Sequence, residues 1–367
     1  MKHLSMILFL TGLFFSCKNS IQEDLTPVES LNSNKILIPS TAKLYDGKGA
    51  KLSYLEGNFQ YEQFAKSLAK ILKDKEVRQI IKSEANKKFD GDFDILAKTF
   101  LSINLSNDSF KNIYNRNKEG ETIESLISGN EKLNISIPLN IEKWNEISKE
   151  VLVVVANGAI ENETKQLKAF DSKGKTYLID AKIQPDQPVI VIGNNERIGL
   201  DVNKLDKKGA KVAYARNLGN AEIINYIQCP NLSDIESWYF GGPELRFNVV
   251  VYNVSYSTAF SPNPLWSTPS RNQASGGYSA YLNLFNWYFN TSHGQNYVVN
   301  PFEIDDAGST QSLTVGVNGT STQGITASYN ITYKAQDKVL AGRLINYLDS
   351  APTTVGDDRI FYKLENQ

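Results

Sequence analysis

"ELRFNVVVYNV", residues 244–254, reads as one long β-strand, built from the β-branched and aromatic residues that suit a pleated, half-buried surface. The sequence after about residue 232 continues in the same manner. "SLTVGV" (312–317) leads to Asn318-Gly319, and in "GITASYNITYK" (324–334) Ile325, Ala327, Tyr329, Ile331 and Tyr333 alternate cleanly. Gln336-Asp337 then turns into "KVLAGRLINY" (338–347). Strands joined by short turns, with no helical stretch between them, predict an antiparallel β-sandwich over residues 232–367.

Upstream, residues 131–231 form a β-rich segment. "VLVVV" (151–155) and "PVIVIG" (188–193) are short apolar runs suited to buried strands. "KAFDSKGKTYLID" (168–180) places two strand-like stretches around the turn Asp171-Ser172-Lys173-Gly174. Residues 51–130 carry a helical period instead: Phe59, Phe64, Leu68, Ile71 and Leu72, then Asp74 as an N-cap, then Val77, Ile80, Ile81 and Ala85. Helical character is expected to run on, less regularly, through Ile95-Leu96 and Ile113 to about Ile127. The predicted class is α+β and multi-domain: a small N-terminal helical domain, a central β-rich segment and a C-terminal antiparallel β-sandwich. Residues 17–50, mixed and polar with Pro27, Pro39, Gly47 and Gly49, read as a tether.

The first residues carry a different message. Lys2 and His3 precede an apolar run from Leu4 to Phe15, which is shorter than the roughly 20 residues a bilayer span requires and fits a secretory signal. The ending Phe14-Phe15-Ser16-Cys17 resembles the bacterial lipoprotein signal, in the relaxed form common in Bacteroidota. That resemblance implies a signal peptide over residues 1–16 and acylation of Cys17, the lipidation site, which becomes the new N-terminus. The alternatives are a plain signal peptide with a chance cysteine, or a buried apolar helix. Stable anchoring takes at least two acyl chains, and a diacylated cysteine supplies them. The expected address is the cell envelope, as an outer-membrane lipoprotein held by that anchor, with surface exposure suggested by Glu23 and Asp24.

Composition narrows the chemistry. A formal net charge of −1 gives no global attraction to nucleic acid or anionic lipid. Of the two histidines, His3 leaves with the signal and only His293 remains, too few with Cys229 for a zinc site. H-E-x-x-H and G-x-x-x-x-G-K-[ST] do not occur, which disfavours a zinc metallopeptidase and a nucleotide-dependent enzyme. A serine or cysteine nucleophile would depend on His293, and no G-x-S-x-G elbow is present. Cys229 has no partner in the mature chain and reads as a small buried hydrophobe. No catalytic residue is assigned.

Acids are plentiful, at 40, so a carboxylate pair of the glycoside-hydrolase kind stays open, because sequence does not say which acids meet. "FDGDFDIL" (89–96) sets Asp90, Asp92 and Asp94 at alternate positions, but its glycine stands second and Leu101 replaces the bidentate glutamate of an EF-hand. It reads as a helix-connecting turn. A better calcium candidate joins Glu303, Asp305 and Asp306 of "EIDDAG" with Asp357 and Asp358 of "GDDR", read as acidic loops; ordinary solvated turns are the alternative. Aromatics gather late, with Trp238, Trp266 and Trp287 beside Tyr239, Tyr278, Tyr281, Tyr288 and Tyr297. Trp266, Trp287 and Tyr288 are candidates for sugar stacking, against the alternative of core packing.

Three blocks, "FAKSLAKILKDKEVRQIIKSEANKKFDGDFDIL" (64–96), "PVIVIGNNERIG" (188–199) and "IESWYFGGPELRF" (235–247), together resemble a group of Bacteroidota secreted lipoproteins to which no activity is assigned. The C-terminal part, ending in "DKVLAGRLINYLDSAPTTVGDDRIFYKL" (337–364), is similar to C2-like β-sandwich modules. That similarity implies either calcium binding or packing on a partner domain. Asp349-Ser350-Ala351 resembles the O-glycosylation site of that phylum, and is equally a turn. The expected function is that of a lipid-anchored envelope protein of non-catalytic binding or assembly type, its sandwich contacting protein or glycan. The alternative is a carboxylate-based hydrolase or other polysaccharide-processing enzyme.

Overall fold

The strand read from residues 244–254 runs over Leu245–Tyr252. Its alternation sends Leu245, Phe247, Val249 and Val251 into one core and Val250 and Tyr252 to the opposite face. It pairs antiparallel with Asn296–Glu303, in register from Leu245 opposite Glu303 to Val251 opposite Tyr297. Facing this sheet is a second antiparallel one in the order Tyr278–Asn286, Ala221–Gln228, Phe361–Asn366, Thr353–Gly356. Ile224, Ile227, Leu282, Leu284 and Leu364 from this second sheet share the core with the first. The sandwich therefore starts with the strand from Ala221, earlier than the expected start at residue 232. Among the described residues it is interrupted by a 3-10 turn at Leu232–Asp234 and a short helix at Arg271–Gly276. There Ser270 and Gln273 form a capping box, each satisfying the other's backbone N–H.

In this computed structural model the described residues are 35–45, 59–159, 163–199, 216–253, 258–288, 294–305, 310–318, 326–335 and 337–367. They all belong to one unit, Asn34–Gln367. Cys17, the tether before residue 35, Gly319, Ile325, His293 and Asp306 lie outside the described residues. Among the described strands, Thr310–Asn318 and Thr326–Lys334 pair only with each other.

The N-terminal half is built on a seven-stranded mixed sheet. Its centre pairs Val153–Val155 in parallel with Ile190–Asn194, and the predicted hairpin appears as Gln166–Phe170 and Thr176–Asp180. Four helices, α1 (Phe59–Ile71), α2 (Lys75–Ala85), α3 (Phe110–Asn117) and α4 (Ile123–Gly129), bury their apolar faces against one side of this sheet. Asp74 caps α2 through the Glu76 N–H at 2.8 Å, a contact worth about 1 kcal/mol. The chain is thus α+β, as its patterns predict. The helices are not a body apart, however, because Phe64, Leu68, Val77 and Ile81 share one core with Val153, Val155, Ile190 and Ile192. Ile95 and Leu96 are not helical; Asp94–Leu96 is an edge strand beside Leu133–Ser136. So short a strand carries no period of its own and is fixed by its non-local partner.

The other face of the mixed sheet, with Leu152, Val154, Leu167, Ala169 and Val191, is covered by Trp238 and Tyr239. These two belong to the segment 236–247, which then enters the sandwich as the strand Leu245–Tyr252. Gly242 makes that passage feasible, since a Cβ there would lie 2.2 Å from the Pro269 carbonyl oxygen. Arg271, 3% exposed, clamps the segment by donating to the carbonyls of Glu236 at 3.0 Å and Gly241 at 2.9 Å.

Candidate functional site

The crossing segment and the two halves it joins meet at a concentration of buried and half-buried acids. Asp90, Asp92 and Asp94 arrive from the turn after α2 and the edge strand that follows it. Asn195 and Arg197 follow the strand Ile190–Asn194, and Glu236 and Glu244 bracket the crossing segment. Glu303 ends the strand Asn296–Glu303, with Asp305 just beyond. "FDGDFDIL" is therefore more than a connecting turn: Asn195 Nδ2 donates to Asp90 Oδ2 at 2.6 Å and to Asp94 Oδ2 at 3.0 Å. The Gly242 N–H donates to Asp92 Oδ2 at 2.6 Å.

Arg197 is the cation at the centre of this group. Its Nε donates to Glu244 Oε1 at 2.5 Å, and its Nη2 donates to the carbonyls of Gly242 at 2.8 Å and Pro269 at 2.9 Å. Burial alone would lower the guanidinium's proton affinity, but Glu244, Asp92 and Asp90 outweigh it and hold the pKa above its ordinary value. Glu244 shows the opposite balance. Burial, with Asp92 and Asp90, overrides the pairing with Arg197 and pushes its carboxyl up to about 7. Asp94 is raised well above the carboxylate range by burial first, then by Asp90 and Asp92.

Beside this group opens a cavity of about 340 Å³. Asp94, Glu244 and Asp305 supply acids to its wall, Asn134 an amide, and Tyr239 and Phe240 aromatic rings. Asn134 is 6% exposed, and its Oδ1 has no hydrogen-bond partner in the protein.

A second group of buried acids is Glu236, Glu303 and Asp305, exposed by 1%, 0% and 4%. One carboxylate oxygen from each lies within 4.8 Å of the others. Both oxygens of Glu236 and both of Glu303 reach no donor group of the protein. The two carboxyl groups face each other, and between them only a shared proton makes a hydrogen bond. Burial, followed by Glu303, Glu196 and Glu244, raises Glu236 well above its ordinary value. Burial and Asp305 do the same to Glu303.

Of the residues singled out from sequence, Glu303 and Asp305 are brought together, and Glu236 completes the group. Glu303 is not in a loop: it is a fully buried strand residue. Asp357 and Asp358 do not join it. Asp357 Oδ1 accepts from the N–H groups of Arg359 and Ile360 and shapes a turn, and Asp358 is exposed. Trp266, Trp287 and Tyr288 do not make one aromatic face. Trp287 is 1% exposed and packs edge-on against Phe285, Tyr297 and Tyr347, because its indole is needed to fill the sandwich core. Trp266 is half-buried beside Arg246, and Tyr288 is exposed. Cys229 is buried, and burial pushes its thiol up to about 12, so it is inert at neutral pH.

Glu236, Glu244, Asp94 and Arg197 were not legible as site residues. The one signal was indirect: all of them lie in the three blocks ending at 96, 199 and 247, which the fold brings to the same junction. No protein-family model, curated protein or solved structure matches the chain.

Proposed function

We propose that the chain is a lipid-anchored protein of the cell envelope, of binding or assembly type, and that the junction cavity is where it takes its ligand. The anchor reading rests on residues 1–17. The cavity carries the ligand reading: about 340 Å³ lined by carboxylates, amides and two aromatic rings is the size and chemistry of a small-ligand site. Polar groups converging beside Tyr239 and Phe240 suit the hydroxyls and apolar ring face of a sugar unit presented by a glycan. The test is a glycan array and an intact-cell pull-down with the full chain, alongside a variant with Tyr239→Ala and Asn134→Ala. Retained binding by a sugar that the variant loses supports the reading; equal binding by both chains sinks it.

A second reading has its own support. Glu244, its carboxyl pushed up to about 7, and the raised Asp94 both line the cavity. Two carboxyl groups in one cleft, raised far enough for one to stay protonated near neutral pH, are the equipment of a carboxylate hydrolase. Release of reducing sugar in the same incubation, abolished in Glu244→Gln, would put this reading first. The envelope address is checked separately by labelling cells with a fatty acid, which Cys17→Ser should no longer incorporate.

A further inference from the structure

Four carboxylate oxygens sealed in the interior without a donor are an unfinished arrangement. Leaving a buried polar group unmatched costs about 1–3 kcal/mol, and more when it is charged. Proteins close such a deficit with a proton, a cationic side chain or a metal ion. The carboxyls of Glu196, Glu244 and Asp305 add to burial in opposing the charge of Glu236 and Glu303, and the nearby Lys338 ammonium donates to the Ile235 carbonyl. A single shared proton would join Glu236 to Glu303 but would leave Asp305 in the same group of oxygens.

We propose that Glu236, Glu303 and Asp305 bind one hard divalent cation of the calcium class. The geometry fits. Calcium holds oxygens at roughly 2.3–2.6 Å, so ligands on opposite sides of the ion stand about 4.6–5.2 Å apart. One oxygen from each of the three residues lies within 4.8 Å of the others, so a single ion touches all three with little side-chain movement. The donor set is all oxygen, which favours calcium over zinc, whose structural sites take sulfur and nitrogen. Magnesium demands a tighter octahedron near 2.0–2.1 Å and gives up its waters reluctantly. Calcium takes six to eight oxygens, more than three carboxylates provide at one oxygen each. Asp305 also lines the junction cavity, so the remaining positions open toward it.

The placement gives the ion a structural consequence. Glu303 and Asp305 belong to the sandwich, and Glu236 opens the segment whose Trp238 and Tyr239 cover the mixed sheet. A cation bridging them fastens the crossing segment to the sandwich. This holds whether or not the cavity takes a sugar.

The test uses the full chain in detergent, stripped with EDTA and then titrated with CaCl2 or MgCl2 by calorimetry and thermal melting. Calcium should bind at one ion per chain and raise Tm by about 5 °C when it is roughly a hundredfold above Kd. Magnesium should bind more weakly. Glu236→Gln and Glu303→Gln should each weaken calcium binding by about tenfold or more, while Asp357→Asn binds as the parent does. Terbium luminescence, sensitised by Trp238 in the unmodified chain and quenched by added calcium, decides the matter should either variant misfold. Absence of heat, melting shift and terbium signal overturns the proposal. So does calcium binding that survives both glutamine variants, or magnesium binding as tight as calcium.

Discussion

Glu222 and Glu303 are both strand residues of the sandwich, and both are 0% exposed. Around Glu222 the protein has assembled a complete set of donors: Arg216 Nη2 at 2.7 Å, Trp287 Nε1 at 2.8 Å and the Tyr297 hydroxyl at 2.7 Å. Arg216 Nε adds a further contact to Glu222 Oε2 at 3.0 Å. Around Glu303 it has assembled none, and has placed Glu236 and Asp305 there instead. A buried carboxylate that is fully matched belongs to the architecture. One facing other carboxylates is left to a shared proton or, on the proposal above, to a cation. Burial is the same in both cases, so it is the identity of the neighbours that separates a scaffold acid from a site acid.

The contrast breaks most sharply at Glu222. Glu222→Gln strands the charge of Arg216 in the core and should cost about 3–5 kcal/mol, read from urea unfolding. A loss below 1 kcal/mol would mean the network is ornamental. Next in size is pH. Glu244, at about 7 in the folded chain, binds its proton more tightly than it does when unfolded. Its contribution is therefore full below pH 4.5 and lost as pH rises through 7. In EDTA, Glu244 should account for about 2 kcal/mol of the fall in stability between pH 5 and pH 8, on top of the falls due to the raised Asp94, Glu236 and Glu303. Glu244→Gln should make the slope shallower by that amount; a slope unchanged by the variant contradicts the assignment. Glu303→Gln in EDTA should differ from the parent by no more than about 1 kcal/mol, since an amide removes a repelled charge and strands no cation. A loss as large as that of Glu222→Gln would erase the distinction between the two acids. The smallest effect belongs to Asp357→Asn at an exposed turn, where the 3.0 Å pair with Arg359 contributes at most about 0.5 kcal/mol.

What could be read beforehand follows from how far each feature reaches along the chain. The hairpin at Asp171–Gly174 and the alternation of Leu245–Tyr252 are local, and both appear as expected. Asp94–Leu96 escaped because a strand of three residues is defined by its neighbour Leu133–Ser136. A loop reading of Glu303 follows from the average preference of acids for loops, whereas the residue continues the strand Asn296–Glu303 directly. The acidic junction was beyond reach for a simpler reason. Asp94, Arg197, Glu244 and Glu303 come from separate stretches of the chain, and residue types say what each acid does but not which others it meets. Glu303 and Asp305 were found by proximity in sequence; Glu236 has no such link.

Trp238 and Tyr239 also set an order of events. The residues that build the mixed sheet are complete by Asn194, yet the face bearing Leu152, Val154, Leu167 and Val191 is not sealed until residues 238 and 239 arrive. A chain emerging from the ribosome or a translocation pore, at roughly 5–20 residues per second, spends seconds with that surface bare. It is a window for chaperone capture or for aggregation. The same logic governs dissection: a fragment ending at residue 231 would carry the mixed sheet without its cover, and the two halves are best made together.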